Sequence, residues 1–108
     1  MDQTSAIIIF ITTSSAEEAQ KIATALVEEK LVACVNIIPE IRSIYWWEGK
    51  VCQDDEVMLI SKTKQSLFTT LMDRVKALHS YEMPEIIAFS ISEGSPEYLS
   101  WIENVTKS

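Results

Sequence analysis

Apolar residues fall in blocks separated by short polar turns, and the spacing inside each block decides what it becomes. Residues 6–11 (AIIIFI) are β-branched or aromatic at both parities and predict a strand. Thr12, Thr13, Ser14 and Ser15 then suit the handover to a helix cap. From Ser15 the period changes: Ala19, Ile22, Ala23, Leu26 and Val27 recur at helical spacing, with Glu17 and Glu18 in the first turn where the macrodipole favours acids. This helix is expected to end near Lys30. Residues 31–38 (LVACVNII) predict a second strand, bent or bulged on a sheet edge at Pro39 and resuming over 41–47 (IRSIYWW). Glu48-Gly49-Lys50 reads as a hairpin turn and 51–62 as the returning strand. A second helix is expected over 64–78, with Leu67, Leu71, Val75 and Leu78 along one stripe, followed by a loop over 79–84 and a fourth strand over 85–92. Gly94-Ser95-Pro96-Glu97 combines a breaker, an N-cap serine, an N1 proline and an acidic first turn. It opens a third helix expected to turn Tyr98, Trp101, Ile102 and Val105 inward.

The order β-α-β-β-α-β plus a C-terminal helix predicts an α+β, ferredoxin-like sandwich spanning 1–108 as one domain, with a long hairpin between its second and third strands. Its two main helices should cover one face of an antiparallel sheet. The other face should then alternate polar with apolar, because it meets water. These strands do not alternate, so the second face is also greasy and needs a cover. The hairpin makes the same demand: residues 32–47 at about 3.3 Å each extend roughly 50 Å, while a 100-residue globule has a radius of gyration near 13 Å, a value of about that order. A bare edge ending in Ile44, Tyr45, Trp46 and Trp47 invites aggregation, so pairing with further copies is the economical solution. Partial cover by the third helix in a monomer is the competing account.

Composition narrows the functional classes. A net charge of −7 on 108 residues repels phosphate backbones, which argues against nucleic acid and favours cations. The same charge also serves plain solubility. Met1-Asp2-Gln3-Thr4-Ser5 has no basic leader region, and the apolar run after it is too short for a signal core or a membrane span, so a cytoplasmic protein without membrane association is expected. Cys34 and Cys52 form no CxxC and read first as small buried hydrophobes. No Walker A, GxGxxG, GxSxG, HExxH or EF-hand pattern occurs, which removes the common phosphate, nucleophile and zinc-hydrolase mechanisms.

The blocks Leu31-Val32-Ala33-Cys34-Val35-Asn36-Ile37, Ser43-Ile44-Tyr45-Trp46-Trp47-Glu48-Gly49-Lys50, Lys62-Thr63, His79-Ser80-Tyr81-Glu82-Met83-Pro84-Glu85 and Tyr98-Leu99-Ser100-Trp101 together strongly resemble the CutA family, over nearly the whole chain. The resemblance implies a ferredoxin-like protomer in a tight homotrimer with strand pairing between protomers. It also implies an association with tolerance to divalent metals, notably copper; it does not imply an established enzymatic activity, and a non-enzyme is expected. Ile44, Tyr45, Trp46, Trp47 and Trp101 are the residues expected at the trimer interface. Some members carry a cysteine at the end of the first strand and paired histidines at the end of the second helix; here those positions are Ile11, Leu78 and His79.

His79, the single histidine, is a candidate metal ligand, or else a helix-end residue stabilised by the dipole. Cys34 offers a soft sulfur for Cu(I), against a packing role. Lys62, Tyr81, Glu82, Glu85 and Trp47 join His79 as candidates for a cleft between protomers. There they would bind a small anionic ligand, as in the PII trimers of similar fold, or form interface salt bridges; a structural trimer whose partner is another protein is the further alternative. Asp54, Asp55 and Glu56 cannot chelate one ion together, because strand neighbours point to opposite faces, and they read as a solvated stretch. Trp46 and Trp47 point apart for the same reason.

Overall fold

The computed structural model describes residues 5–108; Met1–Thr4, on which the absence of a leader was partly argued, lie outside them. The chain runs β1 (Ala6–Thr13), α1 (Ala16–Glu28), β2 (Cys34–Trp47), β3 (Lys50–Lys64), α2 (Phe68–Leu78), β4 (Ile86–Ser90) and α3 (Pro96–Val105). The four strands form one antiparallel sheet in the order β2-β3-β1-β4, as a ferredoxin-like fold requires. No helix among the described residues is long and apolar enough to cross a membrane.

Parity along the strands sorts the side chains into two faces. Ile7, Ile9 and Ile11 of β1 and Val57 and Leu59 of β3 meet Ala19, Ile22 and Leu26 of α1 and Leu71 and Val75 of α2 in one buried core. The opposite face carries Ile8, Phe10, Met58, Ile60, Ile38, Ile87 and Phe89 by register. Phe10 and Phe89 stack there at 4.9 Å between centroids, yet Ile87 and Phe89 remain 45% and 49% exposed. The sheet is therefore apolar on both sides, as its unalternating strands demand.

α3 covers only one end of that second face. Lys64, whose side chain is almost fully buried, reaches Glu103 at 3.1 Å, and Ile102 and Thr106 turn down beside it. Of the four α3 residues expected to face inward, only Ile102 does so: Tyr98, Trp101 and Val105 stay 44%, 40% and 37% exposed. A ten-residue helix buries one stripe, and its aromatic flank of Tyr98 and Trp101 stays part-exposed, with the Tyr98 hydroxyl near Cys34 of β2.

Three boundaries shift from expectation. α1 closes in a Schellman arrangement, with Lys30 in the left-handed region (φ 59°), Leu31 N–H donating to Leu26 O and Lys30 N–H to Val27 O. Leu31 and Val32 thus belong to the cap, and β2 begins at Cys34. β3 runs on to Lys64, because Gln65 N–H still donates to Ser5 O at 2.7 Å, so α2 starts only after a 3₁₀ turn over Gln65–Leu67. β4 is shorter than the apolar run and ends at Ser90.

The β2–β3 hairpin gives the chain its 46 × 28 × 22 Å outline. Ile38 pairs with Met58 but Ile41 with Glu56, so three steps on β2 answer two on β3 at Pro39-Glu40. This bulge on an edge strand reverses parity beyond it. Ile41, Tyr45 and Trp47 share a face with Glu56, Cys52 and Lys50, and Ile44 and Trp46 take the other. The turn is Glu48-Gly49 with φ of 51° and 79°, the two left-handed positions of a two-residue type I′ loop.

Candidate functional site

The polar side chains gather at two places on β3. The first is a corner where the end of β1, the start of α1 and the end of α2 converge. Ser15 caps α1 by accepting from Glu18 N–H at 3.1 Å, and the Glu18 carboxylate turns back to accept from Ser14 N–H, a variant of the capping box. The same carboxylate accepts from Ser80 N–H at 2.6 Å and Ser80 Oγ at 3.1 Å, which ties the loop after α2 to the start of α1. Burial pushes the Glu18 carboxyl up, but these Ser80 hydrogen bonds, assisted by that of Ser14, outweigh it and hold the group below the ordinary carboxylate range.

His79 caps α2, its N–H donating to Val75 O at 2.8 Å. Its ring is fully buried, with Nδ1 accepting from Tyr81 N–H at 3.0 Å. That fixes the other nitrogen as the donor, and Nε2–H points to Thr12 O at 2.7 Å. In this tautomer the ring is neutral and the 3.8 Å approach of Glu18 to Nδ1 is not an ion pair. Both ring nitrogens are occupied in holding the loop.

The loop delivers Tyr81, whose ring lies 4.7 Å from that of His79 and whose hydroxyl donates to Glu56 Oε2 at 2.7 Å. Burial, then the Glu56 hydrogen bond and charge, raise the Tyr81 phenol well above its ordinary range. Glu85 follows on the same connection, its carboxyl raised by burial and by the charge of Glu56. Glu82 is exposed beside them. Glu56 is thus half-buried and engaged rather than part of a solvated acidic stretch, while Asp55 faces Arg42 and Asp54 accepts from the Tyr45 hydroxyl. That contact, then burial, pushes the Tyr45 phenol up to about 12.

The second place is the root of the hairpin. Lys62 stands opposite Cys34 across the ladder and donates to Asn36 Oδ1, and Cys34 Sγ lies 4.0 Å from both Asn36 Oδ1 and the Tyr98 hydroxyl of α3. Burial, then the neighbouring thiol, raises the Tyr98 phenol.

The six cleft candidates do not meet within one protomer. His79, Tyr81 and Glu85 gather at the Glu56 corner. Lys62 lies six residues from Glu56 along β3, about 20 Å at strand spacing, and Lys50, the partner of Trp47, lies six residues the other way. Nor do His79 and Cys34 share a ligand set. Among the described residues of the protomer no three of His, Cys, Asp and Glu converge to hold a metal ion. The residues that sequence reasoning passed over are Glu18 and Glu56. Ser15-x-x-Glu18 signals the first; the second has no local signal, because its partner Tyr81 is 25 residues away.

A model of the CutA1 divalent ion tolerance protein family matches residues 7–105. The chain is 52% identical over 99 residues to the divalent-cation tolerance protein CutA of Thermus thermophilus, covering 92% of this chain and 96% of that one. It is 46% identical over 101 residues to the chloroplastic protein CutA 1 of Oryza sativa, covering 94% of this chain but only 57% of that protein, so it spans a little over half the length of this relative. The crystal structure of CutA1 from Oryza sativa superimposes with a TM-score of 0.95 at 44% identity, over 98% of this chain and 97% of that one. The sheet order, the long bulged hairpin and these likenesses agree, and the chain belongs to the CutA1 divalent ion tolerance protein family.

Proposed function

We propose that this chain works as a cytoplasmic homotrimer in the response to divalent metal ions, copper among them, by binding rather than by catalysis. The observation that carries the assembly is unburied apolar surface in two connected places. Ile87, Phe89 and Ile38 lie open on the sheet's second face, and Ile44, Trp46 and Val51 are 65%, 74% and 58% exposed on the arm. Three is the copy number that family membership supports. The observation favouring cations is the corner, where Glu85 is crowded by Glu56 on a chain of net charge −7; a divalent ion relieves such crowding. A complete ligand set would need groups from a second protomer.

Sedimentation velocity at micromolar concentration should give three times the 12.2 kDa of the chain, and Trp46→Ser with Ile44→Ser should shift the distribution toward smaller species. Titration calorimetry with Cu(II) should show heat that the Glu56→Gln, Glu85→Gln double variant loses. A well-folded monomer removes the assembly, and equal, negligible heats remove the metal. A second reading, a PII-like trimer binding a small anion, rests on the Lys62 ammonium at the hairpin root, where it donates to Asn36 Oδ1. A melting-temperature rise with nucleotides or dicarboxylates, absent in Lys62→Gln, would select it.

A further inference from the structure

The sheet narrows at one level. β1 ends with Thr13 opposite Val57, so from Glu56 outward β3 pairs with β2 alone. The bulge at Pro39-Glu40 falls at the same level, between the Ile38–Met58 and Ile41–Glu56 pairs. The four-stranded body thus passes into a two-stranded ribbon at the point where the ladder is interrupted. Two-stranded ribbons twist more than wide sheets, and a bulge adds its own bend and twist, so this level is the hinge of the arm. Glu56 to Gly49 is seven residues, about 23 Å at strand spacing, and a rotation of about 10° at the hinge carries the tip through about 4 Å.

One side chain crosses this level from outside the ladder. The loop between α2 and β4 is fastened to the body at three points: His79 N–H donates to Val75 O at 2.8 Å, His79 Nε2–H to Thr12 O at 2.7 Å, and Ser80 N–H to the Glu18 carboxylate at 2.6 Å. The next residue, Tyr81, donates its hydroxyl to Glu56 Oε2 at 2.7 Å. Glu56 is the partner of Ile41 in the first pair beyond the bulge. The other polar side-chain pairs of the ribbon, Arg42 with Asp55 and Tyr45 with Asp54, stay within it. Among the described residues, Tyr81 to Glu56 is the one hydrogen bond that ties the body to the ribbon other than through the strands.

We propose that the loop after α2 is a strap: by spanning the bulge, the Tyr81–Glu56 bond holds the arm at one angle to the body, and its release lets the arm swing about Pro39-Glu40. The bond joins a neutral hydroxyl to a carboxylate, a charge-assisted pair stronger than one between neutral groups. Its place beside the hinge means that a small displacement of Glu56 answers a large displacement of the tip. A held arm offers Ile44, Trp46 and Val51 in one arrangement, so a docking copy does not have to order it first; this last consequence rests on the assembly proposed above.

The test uses the full chain carrying Trp101→Phe, which leaves the two remaining tryptophans, Trp46 and Trp47, on the arm. Time-resolved anisotropy of their emission reads fast motion of the arm, amide exchange reads slower opening, and circular dichroism establishes that each variant is folded. Tyr81→Phe removes the hydroxyl and keeps the ring beside His79. It should enlarge the fast-decaying share of the anisotropy and speed exchange over residues 42–47 and 50–55 several-fold, with Ile9 and Leu59 unchanged. Glu56→Gln keeps an acceptor oxygen and should fall between the two. Tyr45→Phe removes a phenol–carboxylate bond that does not cross the hinge and should leave the anisotropy as in the parent chain. Arm motion in Tyr81→Phe equal to that of the parent would overturn the strap, as would equal loosening by Tyr45→Phe. Sedimentation of the same samples reads the copy number separately: a monomer removes the docking consequence, and arm motion still decides the strap.

Discussion

The root and the arm of the β2–β3 hairpin share one ladder and yet are held by different forces. At the root, Val57 and Leu59 of β3 are 4% and 0% exposed beneath α1 and α2, and Ser61 and Thr63 are buried with them. Beyond Pro39-Glu40 the loop after α2 reaches only as far as Glu56, and Ile44, Trp46 and Val51 further out are more than half exposed. Strand pairing alone is a weak source of stability, since an isolated two-stranded hairpin is marginal in water. The root is held by the chain's own core, then, and the arm is built from apolar residues that this core does not bury.

The largest expected effect breaks the root. Leu59→Ala should cost about 2–5 kcal/mol of unfolding free energy, because it removes a fully buried side chain from the centre of the core. Urea denaturation checks this. A loss as small as that of an arm variant would erase the distinction. Next comes the turn at the far end. Gly49→Ala meets no atom within 4 Å but must hold φ near +79°, so it should cost about 1 kcal/mol. Hydrogen exchange should accelerate at Tyr45, Trp46 and Val51 while the amides of Ile9 and Leu59 keep their protection; equal acceleration at both ends would show that root and arm open as one.

The smallest effect concerns the corner midway along the hairpin. Glu18 holds the loop that brings Tyr81 to Glu56, and its folded-state carboxyl lies below the ordinary value. A depressed carboxyl contributes stability that is complete above the unfolded value, about 4.3 for glutamate, and is lost as pH falls through the folded value. The melting-temperature gap between wild type and Glu18→Gln should therefore be open at pH 7 and close as the solution is acidified below that range. A gap independent of pH would show that the geometry of the cap, rather than its charge, carries the effect.

Much of the protomer was legible in the chain because the signals were local. Period changes gave the element order, Ser95-Pro96 the start of α3, Glu48-Gly49 the turn and Pro39 the bulge. The unalternating strands announced a second apolar face. What escaped was non-local or atypical. The cap of α1 uses Lys30 in a left-handed position where glycine is usual, so Leu31 and Val32 read as strand. The aromatic stripe of α3 has helical spacing whether it faces its own sheet or another surface, and periodicity cannot separate those cases. His79 was visible as a histidine, but its engagement by Thr12 and Tyr81 depends on a contact 67 residues away. Lys62 and the Glu56 corner share a strand, and only its length shows how far apart they lie.

The bulge at Pro39-Glu40 bears on how such an arm can diverge. Since the surplus there is one residue, deleting it would leave Ile41 opposite Glu56 and Trp47 opposite Lys50 and would remove only the local bend and extra twist. The direction in which the arm leaves the body is in that sense set by chain length at one point, and a lineage can re-aim it in a single step while every core residue stays in place.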